Sequence, residues 1–162
     1  MAIISALPET TTYLRRLESG LVIPATTGTR TFYTQRDMFP GFFDSKFSKL
    51  GTNVPTIATG PASSALYEIT IAKGYRELLG SFNTSLELLL WKSQDQILTW
   101  IESYPQHIHP SGYSSYFPFI VFGKFFVAVV DIHNNKLGVN LDHFHSDHFM
   151  DIGCLDRMVL PE

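Results

Sequence analysis

The fold of this chain is decided by the stretch GKFFVAVVDIHNNKLGVNLDHF, residues 123–144. Two runs rich in Val, Ile, Leu and Phe flank a short turn in which Asn134 and Asn135 tolerate positive φ. Apolar β-formers on both sides of such a turn are typical of paired antiparallel strands. The stretch therefore predicts a β-hairpin.

The segments before the hairpin predict mainly helices. Residues 92–105, KSQDQILTWIESYP, show helical apolar spacing, with Ser93 as N-cap and Pro105 as the stop. Residues 60–83 predict two helices separated at Gly74, and residues 85–91, SLELLLW, predict a buried strand. Helices that precede sheet strands, without strict alternation, indicate an α+β fold. We expect helices packed on one face of a mainly antiparallel sheet, in a single domain.

Residues 1–60 hold many Thr, Gly and Pro residues and only short apolar pieces. The segment TTYLRRLESG, residues 11–20, predicts a helix that ends at Gly20, and TRTFYTQ, residues 29–35, predicts a strand. We expect this part to add a helix, short strands and loops to the same domain, whose core is residues 61–162.

Composition excludes several classes of protein. With 44% apolar and 17% charged residues among 162, the chain is too hydrophobic to be disordered. A formal charge of −3 argues against direct nucleic-acid binding, which needs clustered Lys and Arg. The longest apolar run, residues 117–130, is interrupted by Pro118, Gly123 and Lys124, so no membrane span is predicted. The single Cys154 suits a reducing compartment, and we expect a cytoplasmic protein.

The segment after the hairpin is rich in metal-ligand residue types. It contains His143, His145, Asp147 and His148 in the order HxHxDH, which resembles the first-metal motif of the metallo-β-lactamase fold. Only fourteen residues follow His148, and none is histidine, so a complete two-metal site of that type is not predicted. A second HxH, His107 and His109, lies in a loop. The pattern favours a polar loop or partner-binding rim, with a site for zinc or another divalent metal as the alternative.

The second half of the chain resembles the SUKH superfamily, small α+β domains that include a fungal cell-wall synthesis regulator and many bacterial toxin-immunity proteins. The resemblance covers roughly residues 61–150, in the order IAKGYRELLGSFN, LLLWKSQDQI and FPFIVFGKFFVAVVDIHNNKLGVNLDH. The positions that match the family's motifs are Tyr75, Leu79, Asn83, residues 119–123, Asp131, Asp142 and His143.

The resemblance implies a non-enzymatic protein-binding domain, of the immunity type that binds and neutralises a toxin, for example a nuclease. In that case Asp131, Asp142, Asp147 and Asp151 would form an acidic rim that complements a basic cleft on the partner. No cofactor is expected. The alternative hypothesis is a metal-binding protein or metal-dependent hydrolase that uses His143, His145, Asp147 and His148.

Overall fold

The computed structural model describes residues 7–108, 113–144 and 156–162. The strands are β1 Leu14–Glu18, β2 Phe42–Phe43, β3 Ser64–Ile69, β4 Ser115–Val121, β5 Lys124–His133, β6 Lys136–His143 and β7 Arg157–Pro161. The α-helices are α1 Lys46–Lys49, α2 Tyr75–Gly80 and α3 Gln94–Ser103, and 3-10 helices span Arg36–Met38, Leu86–Leu89 and Pro105–His107.

The seven strands of these ranges form one sheet in the order β1-β3-β7-β4-β5-β6-β2. Neighbours pair antiparallel except at β4–β7 and β2–β6, which are parallel. The predicted hairpin is confirmed as β5 and β6, joined by Asn134 and Asn135 at φ of 50° and 63°. A mixed α+β architecture with a mostly antiparallel sheet is thus in agreement with the prediction.

The sheet carries an apolar cluster on each face. Alternate side chains of a strand point to opposite faces, and in β4 Phe117 belongs to one cluster and Tyr116 to the other. Helix α3 adds Trp100 to the Phe117 cluster, whereas α2 adds Tyr75 to the Tyr116 cluster. The prediction that the helices pack on one face is therefore not confirmed, because α2 and α3 belong to different clusters.

The predicted helix at residues 92–105 is confirmed as α3. The Ser93 side chain caps it by accepting a hydrogen bond from the Gln96 backbone N–H at 3.1 Å. Of the two helices predicted in residues 60–83, the second is confirmed as α2, but the first is strand β3. Strand β3 lies between β1 and β7 and buries Leu66 and Tyr67 on opposite faces, so its apolar residues show no period of two.

Three other local predictions are wrong. Residues 14–18, within the predicted helix 11–20, form β1, which pairs with β3. The predicted strand 29–35 is instead a turn, in which the Thr34 backbone N–H donates to the Thr31 hydroxyl at 3.1 Å. The predicted strand 85–91 begins as a 3-10 helix, and only Trp91 pairs with the sheet, through a bridge to Phe119.

Loops of the first sixty residues are fixed to α3 by polar side chains. Gln94 accepts a hydrogen bond from the Phe32 backbone N–H at 3.0 Å and donates to the Thr52 carbonyl at 2.5 Å. The buried Asp95 carboxylate contacts Arg30 Nε at 2.7 Å. These contacts attach the backbone at Phe32 and Thr52 to the start of α3, and the nearby residues 55–57 line a pocket together with the turn between β4 and β5. No helix in the described ranges is long and apolar enough to cross a membrane.

Candidate functional site

Two of the residues predicted to form an acidic rim, Asp131 and Asp142, lie on the same face of the sheet. Asp142 pairs with Val127 across β5 and β6, and Val127 and Asp131 are an even number of positions apart on β5. The other two rim residues, Asp147 and Asp151, lie outside the described residues. The acidic rim therefore stays a prediction, of which the structure describes two members, Asp131 and Asp142.

Asp142 is the acceptor of a hydrogen bond inside the protein. The Tyr75 hydroxyl of α2 donates to Asp142 Oδ2 at 2.5 Å. The adjacent Tyr116 ring, 5.8 Å from that of Tyr75, donates its hydroxyl to Asp156 Oδ2 at 3.1 Å. Burial and the nearby carboxylates raise the pKa of both phenols, so they remain protonated donors. Asp142 thereby anchors α2 to β6.

Asp131 is a half-buried carboxylate at the other end of β5. Its Oδ1 lies 2.9 Å from His133 Nε2, but this oxygen accepts no hydrogen bond of good geometry from the described residues, so the contact is mainly electrostatic. Burial raises the pKa of Asp131, and His133 partly offsets this effect. Asp131 and Asp142 are both engaged within the protein, and neither is a freely solvated carboxylate.

The predicted metal ligands are brought together only in part. His143 is exposed at the end of β6, with its ring 5.7 Å from that of Phe126. His145, Asp147 and His148, like His109 and Cys154, lie outside the described residues. His107 Nε2 lies 3.1 Å from Glu18 Oε2, far from β6 in strand order. Within the described ranges, no three His, Cys, Asp or Glu residues form a group that could hold a metal ion.

The most unusual feature is the turn between β4 and β5. It consists of Phe122 and Gly123, whose φ values of 46° and 78° match the positive φ that a two-residue hairpin turn requires. Asn, Asp or Gly normally fills the first position, whereas a bulky side chain there is strained. Phe122 is nevertheless 74% exposed, and it belongs to neither apolar cluster.

The turn lies between two open cavities, and Gly123 lines both of them. The first, of about 440 Å³, is called the apolar pocket and is lined by Pro55, Ile57, Lys92, Ile120, Phe122 and Gly123. The second, of about 700 Å³, is called the basic pocket and is lined by Lys49, Gly51, Gly123, Lys124, Phe126 and His143. We call the two pockets and the turn between them the turn surface.

The apolar part of the turn surface is rigidly supported. Ile57, 75% exposed, contributes to the same pocket as Phe122 from the loop before β3. Beneath them, the Trp91 backbone N–H donates to the Pro118 carbonyl at 2.9 Å, and the Ile120 N–H donates to the Trp91 carbonyl at 3.1 Å. The surface thus presents two large exposed apolar side chains, beside a β4 backbone that is hydrogen-bonded to Trp91, which is an arrangement suited to binding another protein.

The sequence contained a signal for this site. Gly123 and Lys124 interrupt a long apolar run, and a Gly between two β-forming segments is a local breaker of regular structure. The sequence could not show that Phe122 itself adopts positive φ and faces solvent.

No family model, curated protein or solved structure matches the chain.

Proposed function

We propose that the chain is a non-enzymatic protein-binding domain of the toxin-neutralising immunity type, and that it binds its partner through the turn surface. The observation that carries this proposal is Phe122. This residue is 74% exposed although its backbone has a φ of 46°, so it suits neither the core nor the turn.

The backbone of Phe122 has an energetic cost in the folded protein. A left-handed conformation costs a non-glycine residue roughly 1 kcal/mol. The exposed ring recovers little of that cost by burial in the folded monomer. Strain of this kind is typical of binding sites, where a partner supplies the missing contacts. An aromatic side chain that becomes buried at an interface is also the kind of residue that carries much of the binding energy.

The support beneath the turn surface favours tight binding. The β4–β5 pairing extends to Val121 and Lys124, directly beside the turn. The backbone of such a paired hairpin loses little conformational entropy when a partner binds, so the remaining ordering cost is that of the side chains. The turn surface is therefore better supported as the docking site than Asp131 and Asp142, whose carboxylates already contact His133 and Tyr75.

The choice of a toxin as partner is supported by the resemblance of residues 61–150 to the SUKH superfamily. A direct test first searches the source genome for a toxin-like reading frame beside this gene. The protein that such a frame encodes is expressed in a bacterial host, alone and with this chain, and growth is recorded. Complex formation is then measured with the purified proteins by calorimetry.

The variants that separate the hypotheses are Phe122→Asn and Ile57→Ser, with Ile71→Ser as the matched control. Ile71 is also an exposed apolar residue, at 42%, but it follows β3 at the opposite end of the sheet. We expect the wild-type chain and Ile71→Ser to restore growth, and the two turn-surface variants to lose both rescue and binding. Equal rescue by Phe122→Asn, or no rescue by the wild-type chain, would contradict the proposal.

A further inference from the structure

The turn surface is positively charged, although the chain as a whole has a formal charge of −3. Lys92 lines the apolar pocket, and Lys49 and Lys124 line the basic pocket. No Asp or Glu lines either pocket among the described residues. A local excess of this sign attracts carboxylates at short range, where solvent ions screen it least.

These three lysines have no carboxylate partner within the described part of the chain. The Lys92 ammonium donates to the Glu87 backbone carbonyl at 2.7 Å, which fixes its position without neutralising its charge. By contrast, Lys46 lies 3.4 Å from Asp44, and Lys73 lies 3.9 Å from Glu77. Of the four lysines without a carboxylate partner among the described residues, three lie on the turn surface, and the fourth is Lys136 at the start of β6.

We infer that the segment of the partner that docks on the turn surface is acidic and carries one large apolar side chain. This inference rests on the proposed function, because it assigns the chemistry of the partner at the same surface. The apolar side chain would lie against Phe122 and Ile57, and flanking Asp or Glu residues would reach Lys92 on one side and Lys124 on the other. Since Gly123 lines both pockets, one short segment can contact both.

The apolar contact and the lysines of the turn surface contribute to binding in different ways. Burial of the apolar side chain against the Phe122 ring supplies most of the binding free energy. The lysines contribute modestly to affinity, because exposed ion pairs are weak, but they select acidic segments and accelerate association. Binding should therefore weaken as the salt concentration rises, whereas a purely apolar contact would be insensitive to salt or strengthen.

The test is a selection of short random peptides displayed on phage against the full-length chain, followed by affinity measurement with the selected peptides. We expect the selected sequences to combine one Trp, Phe or Leu with several Asp or Glu residues. Their binding should be lost in Phe122→Asn and weakened about fivefold to tenfold in the double variant Lys92→Gln/Lys124→Gln. The double variant Lys46→Gln/Lys73→Gln, which removes paired lysines, is the matched control and should bind as the wild-type chain does.

The possible results distinguish a failure of this inference from a failure of the proposed docking site. Peptides that require Phe122 but show no acidic excess, or that bind the Lys92/Lys124 variant unchanged, overturn the inference and leave the proposed docking site intact. Peptides that bind regardless of Phe122, or a selection that yields none, overturn the inference and the docking site together. If sedimentation shows self-association of the chain that Phe122→Asn abolishes, the occupant is a second copy and the inference fails.

Discussion

Phe122 and Asn134 occupy the same position in the two turns that flank β5, and they have nearly the same backbone conformation. Each is the first residue of a two-residue hairpin turn, with φ of 46° for Phe122 and 50° for Asn134. Asn is well suited to that conformation, whereas Phe is not. Asn134 therefore favours folding at its turn, whereas we propose that Phe122 serves binding at the other.

A substitution at Asn134, in the turn between β5 and β6, measures directly how much a positive φ costs a Phe residue. The substitution Asn134→Phe should lower the free energy of unfolding by about 1 kcal/mol, because it places a bulky side chain at positive φ. Denaturant unfolding measures the change, and Asn134→Gly is the control that should be nearly neutral. If Asn134→Phe were as stable as the wild-type protein, positive φ would not be costly for Phe in these turns.

The contact between Arg30 and Asp95 should be important for stability. Asp95 accepts from Arg30 Nε at 2.7 Å and from the Gly28 backbone N–H at 3.0 Å, and its side chain is only 4% exposed. The substitution Asp95→Ala leaves both donors without their acceptor, so it should lower the free energy of unfolding by about 2–3 kcal/mol.

The matched control for Asp95→Ala is Glu102→Gln. Glu102 contacts Arg30 Nη2 at 2.7 Å, but its side chain is 48% exposed, so its loss should cost less than about 1 kcal/mol. Thermal or denaturant unfolding compares the two variants. Equal losses would show that burial of Asp95 does not determine the strength of the contact.

The pH dependence of stability should report on Asp131. Burial raises the pKa of this carboxyl, so the folded state holds the proton more tightly than the unfolded chain does. Its ionisation therefore lowers stability as the pH rises from the ordinary pKa of an aspartic acid through the raised value. Above that window, Asp131→Asn removes the penalty, and the variant should be more stable than the wild-type protein.

Below the ordinary pKa of aspartic acid, the two proteins should differ least, because Asp131 is then protonated in both the folded and the unfolded state. Denaturant unfolding of both proteins from acid to neutral pH measures the difference. A stability gap that widens towards acid pH would contradict the direction of the pKa change.

Elemental analysis distinguishes the proposed binding function from the metal hypothesis. We expect the purified, untagged protein to contain no stoichiometric zinc, iron or manganese. If one of these metals were present at one or two equivalents, and His145→Ala removed it, the HxHxDH segment would be a metal site. A metal-dependent function would then replace the protein-binding proposal.

The sequence predicted those parts of the fold that depend on local chemistry. The pair Asn134-Asn135 identified the turn of the β5–β6 hairpin, and Ser93 identified the start of α3. In both cases a turn or cap requires particular side chains at fixed positions, so the pattern is visible without knowledge of the rest of the chain.

The sequence failed where tertiary contacts decide the structure. Residues 14–18 form a strand because β3 offers them an edge, and only Leu14 among them is buried. The spacing of Leu14 and Leu17 suggested a helix face, but Leu17 is 39% exposed. Likewise, β3 lies between two strands and is buried on both faces, which hides the alternation that identifies a strand with one exposed face.

The candidate site was only partly predictable. Asp131 and Asp142 do share one face of the sheet, as their positions on the two hairpin strands allow. The turn surface was not predicted, because it joins Ile57 from the first sixty residues to Phe122 from the β4–β5 turn. Residues so distant in the chain meet only through the pairing of the sheet and the attachment of the loop to α3.

The central claim is that Phe122 serves binding at the expense of folding, and one substitution tests it most directly. Denaturant unfolding and partner affinity are measured together on the wild-type protein and on Phe122→Asn, with the partner taken from the growth-rescue experiment. We expect Phe122→Asn to raise the free energy of unfolding by about 1 kcal/mol and to reduce partner affinity at least tenfold. A variant that is less stable than the wild-type protein, or that binds the partner equally well, would contradict it.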